Sequence, residues 1–140
     1  MSTLEDSAPS AGPAPGASRR AIVVDDSRAT RSLLRRLLTS MGFDVIEAGH
    51  GAEALEVLAA AEPVHLALVD WNMPVMDGLE FVKALRTHRE YADMVVMMVS
   101  AESDQTKMAR ALMMGADEFV IKPLTAEILQ VKLEMLEVRS

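Results

Sequence analysis

From residue 21 onward, short apolar blocks alternate with stretches in which apolar residues recur every three or four positions. The run Ala21-Ile-Val-Val-Asp25 is a short apolar block ending in acid, the pattern of a buried parallel strand that surfaces at its carboxyl end. Leu33, Leu34, Leu37, Leu38 and Met41 then recur with helical spacing, Arg28, Arg31, Arg35 and Arg36 take the opposite face, and Gly42 stops the helix. The same alternation predicts further strands over 44–48, 64–70, 94–100 and 118–121. Helices are predicted over 52–61, closed by Pro63, and from Asp77-Gly78 onward, with Leu79, Val82 and Leu85 on one face. Two more are predicted over 104–114, capped by Gly115, and over 125–138, with Ile128, Leu129, Leu133 and Leu136 inward. Five strands alternating with five helices imply an α/β fold, a doubly wound five-stranded parallel sheet covered on both faces.

The first 19 residues lack this pattern. They are rich in Pro, Ala, Ser and Gly, with Leu4 the one residue a core would want, and they are expected to be a disordered leader to a single domain over 20–140. The chain carries 14 Lys+Arg against 21 Asp+Glu, a formal charge of −7 that argues against a nucleic-acid backbone as partner. The five aromatic residues, Phe43, Trp71, Phe81, Tyr91 and Phe119, are too scattered to form a stacking platform. The absence of Cys excludes disulfides, thiolate metal sites and a cysteine nucleophile. Apolar runs fall far short of the roughly 20 residues a membrane span requires. The acidic N-terminus lacks the features of a secretory signal, so a cytoplasmic location is expected.

In doubly wound sheets ligands bind beyond the carboxyl ends of the strands, which directs attention to Asp25, Asp26, Asp70, Ser100 and Lys122. If the first and third strands are neighbours, as in the flavodoxin-like order 2-1-3-4-5, three carboxylates converge there. Left alone they would repel one another and push at least one pKa upward. Their all-oxygen donor set suits a hard divalent ion, Mg²⁺ or Mn²⁺, and one ionised carboxylate could then act as a nucleophile. A phosphoryl group is the natural electrophile, with Lys122 supplying positive charge to its oxygens and Ser100 a hydroxyl.

The runs Ile22-Val-Val-Asp-Asp26, Val69-Asp-Trp-Asn-Met-Pro74, Met76-Asp-Gly-Leu79, Met98-Val-Ser-Ala101 and Val120-Ile-Lys-Pro123 stand in register over residues 20–138. Together they resemble the receiver domain of two-component response regulators, and most of all its stand-alone chemotaxis type. The strand order 2-1-3-4-5 is carried over from this resemblance. By the resemblance, Asp70 accepts a phosphoryl group from a sensor histidine kinase or histidine phosphotransfer domain. Asp26 and Asp70 would ligate Mg²⁺ through side chains, Asn72 through its backbone carbonyl and Asp25 through water, while Ser100 and Lys122 would sense the phosphoryl group. Phe119 would be the switch aromatic, reshaping a helix 4–strand 5–helix 5 surface for an effector protein, with the domain a monomer or a phosphorylation-dependent dimer. Asn72 and Glu102 resemble a pair that accompanies rapid self-dephosphorylation. Two departures stand out: Phe119 replaces the usual Tyr, losing its hydroxyl, and Leu124 replaces a frequent Phe.

Blander readings compete at several positions. Adjacent aspartates after a strand often serve only a helix N-terminus, and the arginine face of the first helix is either an ordinary solvated face or a dock for a phosphodonor protein. Trp71 is expected at the rim of the site, partly exposed. Met97, Met98, Met113 and Met114 are expected to fill the core, His65 and His88 to be structural or solvent-facing, and His50 to begin a loop after the second strand with no partner visible. An aspartyl-phosphate phosphatase of the haloacid-dehalogenase type would need a second Asp two positions after the nucleophile, where Asn72 stands. The expectation is therefore a signalling module rather than an enzyme acting on a metabolite. A phosphate sink or relay without an effector surface remains the alternative.

Overall fold

The computed structural model describes residues 19–101 and 105–136. Most of the leader, Glu102 and the predicted ends of the fourth and fifth helices lie outside the described residues. The chain runs β1 (Arg20–Val24), α1 (Arg28–Ser40), β2 (Asp44–Ala48), α2 (Gly51–Ala60), β3 (Leu66–Val69), α3 (Gly78–Arg86), a 3₁₀ turn (Arg89–Tyr91), β4 (Val95–Ser100), α4 (Gln105–Met113), β5 (Glu118–Ile121) and α5 (Ala126–Met135). All five strands are parallel, in the order β2-β1-β3-β4-β5. The order reverses at β1 and β3, and both strand ends there carry aspartate.

β1, β3 and β4 are central and nearly wholly buried, which is why they read as unbroken apolar runs rather than alternations. Their side chains divide between two cores. Ile22, Val24, Ala67, Val69 and Met98 meet α2, α3 and α4 through Leu58, Phe81, Val82, Leu85 and Ala111. Ala21, Val23, Leu66, Leu68 and Met97 meet α1 and α5 through Leu34, Leu38, Leu129 and Leu133.

The helices start on side-chain caps. Ser27, His50 and Thr125 each accept the backbone N–H three residues ahead, and Asp77 with Glu80 closes a reciprocal capping box on α3. Gly42 and Gly115, with φ of 96° and 119°, end the turns after α1 and α4, where a side chain would be strained. His50, which sequence leaves without a partner, is therefore a helix cap, and His65 precedes β3 with Nδ1 accepting the Arg20 N–H.

Three expectations are corrected. Met97 and Met98 are core residues, but Met113 is 85 % exposed and Met114 is 38 % exposed. Leu33 and Ile128 face solvent while their neighbours Leu34 and Leu129 point inward, because two adjacent apolar residues cannot share one narrow buried stripe. Trp71 is 7 % exposed, not a rim residue, since its ring packs into the α2–α3–α4 core. The 3₁₀ turn after α3 has no apolar period to announce it.

Candidate functional site

Backbone hydrogen bonds carry the strand ladders one step past the last strand residues and so fix the site. Asp25 N donates to Ala48 O (3.1 Å), Asp70 N to Val24 O (2.8 Å), and Lys122 N to Ser100 O (2.8 Å). Asp25, Asp70 and Ser100 are the only buried polar or charged residues among those described, and all lie at the carboxyl edge of the sheet. Burying carboxylates is costly without partners, and this concentration marks a site rather than a core.

One carboxylate oxygen from each of Asp25, Asp26 and Asp70 lies within 4.8 Å of the others, with Asp26 exposed. Asp25 Oδ1 accepts the Ser27 N–H at 2.8 Å, and Lys122 Nζ donates to Asp25 Oδ2 at 3.1 Å. The same ammonium stands 3.4 Å from Asp70 Oδ1. Burial, followed by the charge of Asp25, raises the Asp70 pKa above the ordinary carboxylate value, against the lowering effect of Lys122. For Lys122, burial works to lower the pKa, but its hydrogen bond to Asp25 and the charges of Asp25 and Asp70 together leave it raised.

Three carboxylates against one ammonium leave two negative charges at the cluster when all are ionised. A hard divalent cation fits both that balance and the all-oxygen donor set. Asn72 is exposed in the β3–α3 loop immediately beyond Asp70 and Trp71. Phe119, at 6 % exposed, is buried with its ring centroid 6.2 Å from that of Trp71 and tilted by 54°. The structure thus brings Asp25, Asp26, Asp70 and Lys122 into one cluster and couples Phe119 to the residue after Asp70.

Several contributors are invisible in sequence patterning. A Cβ on Gly78 would fall 2.3 Å from Asp70 O, so only glycine lets α3 begin beneath the aspartate while Gly78 N donates to Trp71 O. Arg31 Nη1 donates to the carbonyl of Asp25 at 2.6 Å, and its Nε pairs with Glu47 Oε1 at 3.2 Å. Arg35 takes the other Glu47 oxygen at 2.6 Å. Hydrogen bonding to Arg35, with help from Arg31, lowers the Glu47 pKa against the opposing effect of burial. The arginine face of α1 is therefore half neutralised by an acid from β2, which sequence spacing did not reveal.

A parallel sheet of this order, with paired acids after β1, an aspartate after β3 and a lysine after β5, is the arrangement that the receiver-domain resemblance implied. The chain belongs to the response regulator receiver domain family, whose profile matches residues 21–134. Among curated relatives, it is 42 % identical over 114 residues to a chemotaxis protein CheY homolog of Campylobacter jejuni, covering 81 % of this chain and 88 % of that protein. Among solved structures, it superposes on the Vibrio cholerae chemotaxis response regulator CheY4 with a TM-score of 0.78 and 32 % identity, over 84 % of this chain and 98 % of that one. It also matches CheY in the CheX–CheY–BeF₃–Mg²⁺ complex of Borrelia burgdorferi, with a TM-score of 0.77 and 29 % identity over 84 % and 89 % of the two chains. It also superposes on about half (49 %) of the chain of a probable two-component system response regulator/GGDEF domain protein, with a TM-score of 0.78 and 33 % identity.

Proposed function

We propose that this receiver domain is a phosphorylation-controlled binding module of a two-component relay, modified on Asp70. The observation that carries the reading is Lys122 Nζ bridging Asp25 and Asp70 in a pocket with a third carboxylate. In the reaction, an Asp70 carboxylate oxygen attacks the phosphorus of a phosphohistidine on a sensor kinase or phosphotransfer domain. The P–O bond forms as the P–N bond breaks, and the imidazole leaves with its electron pair and takes a proton from solvent. Asp25, Asp26 and Asp70, with the backbone carbonyl of Asn72, would hold Mg²⁺, which supplies positive charge to the phosphoryl oxygens. Lys122 holds the opposite side of the phosphoryl group, and Ser100 offers its hydroxyl from the end of β4. Water attack at phosphorus later releases phosphate and regenerates the Asp70 carboxylate. The chain acts on itself and turns over no external metabolite.

The aromatic step differs from a swing of an exposed ring. Phe119 has no hydroxyl and is already buried against Trp71, so repacking of this pair is what links Asp70 to the α4–β5–α5 surface. That surface exposes Leu112, Met113, Ile121, Ile128, Val131 and Met135. Such apolar exposure favours an effector-binding module over a phosphate sink. On α1, Arg28 and Arg36 have no acidic partner among the described residues and offer the charge for docking an acidic phosphodonor protein. No described helix is long and apolar enough to cross a membrane.

The direct test is incubation of the full chain with acetyl phosphate and Mg²⁺. Acid-labile, base-sensitive phosphate is expected on the wild type and absent from Asp70→Asn. Label that persists in Asp70→Asn would overturn the assignment.

A further inference from the structure

All four polar atoms of Asp25 are engaged. Its N–H donates to Ala48 O, Oδ1 accepts from Ser27 N, Oδ2 accepts from Lys122, and its carbonyl accepts from Arg31. Three of these bonds belong to the strand ladder, the turn or the cluster itself. The fourth comes from outside: a guanidinium on the first turns of α1, 18 % exposed, reaching back across the β1–α1 turn at 2.6 Å. Glu47 aims it. This residue lies on β2 opposite Val23 of β1 and takes Arg31 Nε on one oxygen, while Arg35 occupies the other.

A peptide unit is planar, so a bond that fixes the Asp25 carbonyl also fixes the Asp26 N–H and the start of the Asp26 residue. Asp26 is exposed, and among the described residues its carboxylate has no hydrogen bond or ion pair to hold it. Its direction therefore depends on the peptide plane before it. We propose that Arg31 is a positioning residue for the cation site, orienting the Asp25–Asp26 peptide so that the Asp26 carboxylate faces those of Asp25 and Asp70. The inference rests on the reading of these three aspartates as the Mg²⁺ site.

Charge and geometry make opposite predictions here, which gives the test its power. Arg31 is a cation near a cation site, so Coulomb's law alone says that removing it tightens Mg²⁺ binding. Positioning says that removing it weakens binding, by about tenfold or more, as loss of outer partners of metal ligands does. A lysine keeps the charge but cannot serve the carbonyl and Glu47 together, so Arg31→Lys should fall between. Arg35→Met is the control: it breaks an ion pair to the same Glu47 and leaves the carbonyl bond intact.

The experiment is calorimetric titration of the full-length wild type, Arg31→Met, Arg31→Lys and Arg35→Met with MgCl₂ alone, with thermal unfolding of each in EDTA. Weaker Mg²⁺ binding by both Arg31 variants, beside wild-type affinity in Arg35→Met, supports the proposal. Phosphorylation by acetyl phosphate at saturating Mg²⁺ should then recover to within about twofold of wild type. Unchanged or tighter binding by the Arg31 variants overturns it while leaving the site intact. A wild type that binds no Mg²⁺ overturns both readings. If Arg31→Met does not fold, Arg31→Lys against Arg35→Met decides.

Discussion

The Lys122 ammonium donates to Asp25 Oδ2 at 3.1 Å, a contact between residues at the far end of β5 and the end of β1. Lys122 thus stands as the internal counterion of the carboxylate cluster, and on the proposed Mg²⁺ reading an incoming divalent cation would compete with it for Asp25. Replacing Lys122 with Met removes the competitor. Mg²⁺ affinity measured by calorimetry should rise, by about tenfold for a unit charge at this range in a partly screened site. The same variant should lose thermal stability in EDTA at neutral pH, because Asp25 and Asp70 are then buried without a positive partner. Weaker Mg²⁺ binding by Lys122→Met would refute the competition.

Asp70 carries the opposite cost. Burial and then Asp25 raise its folded-state pKa above that of the unfolded chain, so the folded protein holds a proton that the unfolded chain has already lost. Stability contributed by that proton is present at low pH and declines as pH rises from the unfolded carboxylate value through the raised folded value. Asp70→Asn removes the titration, and without Mg²⁺ its Tm should exceed that of the wild type by a few degrees at pH 7. The gap should close as pH falls toward the unfolded carboxylate range. A variant less stable than wild type at pH 7, or a gap independent of pH, would count against this account.

The fold was legible because the central strands are buried on both faces and so advertise themselves as apolar runs, two of them running into aspartate. β5 at Glu118–Ile121, an edge strand, matches its expected bounds for another reason: Lys122-Pro123 breaks the chain directly after it. The patterning failed where apolarity exceeds the core. Met113, Met114 and Ile128 are apolar and exposed, and periodicity alone cannot tell a buried stripe from a sticky surface. At the site, Asp25, Asp26, Asp70, Ser100 and Lys122 were legible because each ends a strand or follows one. Arg31 and Glu47 were not, since their meeting depends on how α1 crosses β2. Trp71 was misplaced because it is buried among side chains of α2, α3, α4 and β5, Phe119 included, a meeting of elements that spacing along the chain does not show.

Arg86, at the end of α3, ties that helix to the 3₁₀ turn and to the loop between α4 and β5. Its Nε donates to Gly115 O at 2.9 Å, Nη1 to Tyr91 O at 2.8 Å, and Nη2 pairs with Asp117 at 3.0 Å. The same Asp117 oxygen accepts the Val96 N–H at 2.8 Å, so the guanidinium also sets the entry of β4. Arg86→Met leaves those carbonyls and Asp117 short of a donor, and should cost about 2–3 kcal/mol in urea unfolding. Arg86→Lys should recover less than half of the loss, because a single ammonium cannot reproduce the planar fork. Full recovery by lysine would mean that charge, not the fork, is what matters.

Val75 sits in the loop between Asp70 and α3 with φ of 69°, the only non-glycine residue with positive φ among those described. Met76 N donates to Pro74 O at 2.7 Å, closing a three-residue turn about Val75, whose side chain is 80 % exposed. A β-branched residue is poorly suited to this conformation, and an 80 % exposed side chain gains little burial to compensate for it. Loop order is nevertheless kept by Gly51 N, which donates to Met76 O. Asparagine tolerates left-handed backbone far better, so Val75→Asn should stabilise the protein by about 1 kcal/mol, read as a higher urea midpoint at unchanged slope. The turn should persist in the variant, leaving Mg²⁺ affinity within about twofold of wild type, since the substitution relieves strain without moving Asp70. A lower midpoint would show that Val75 is favourably held where it is.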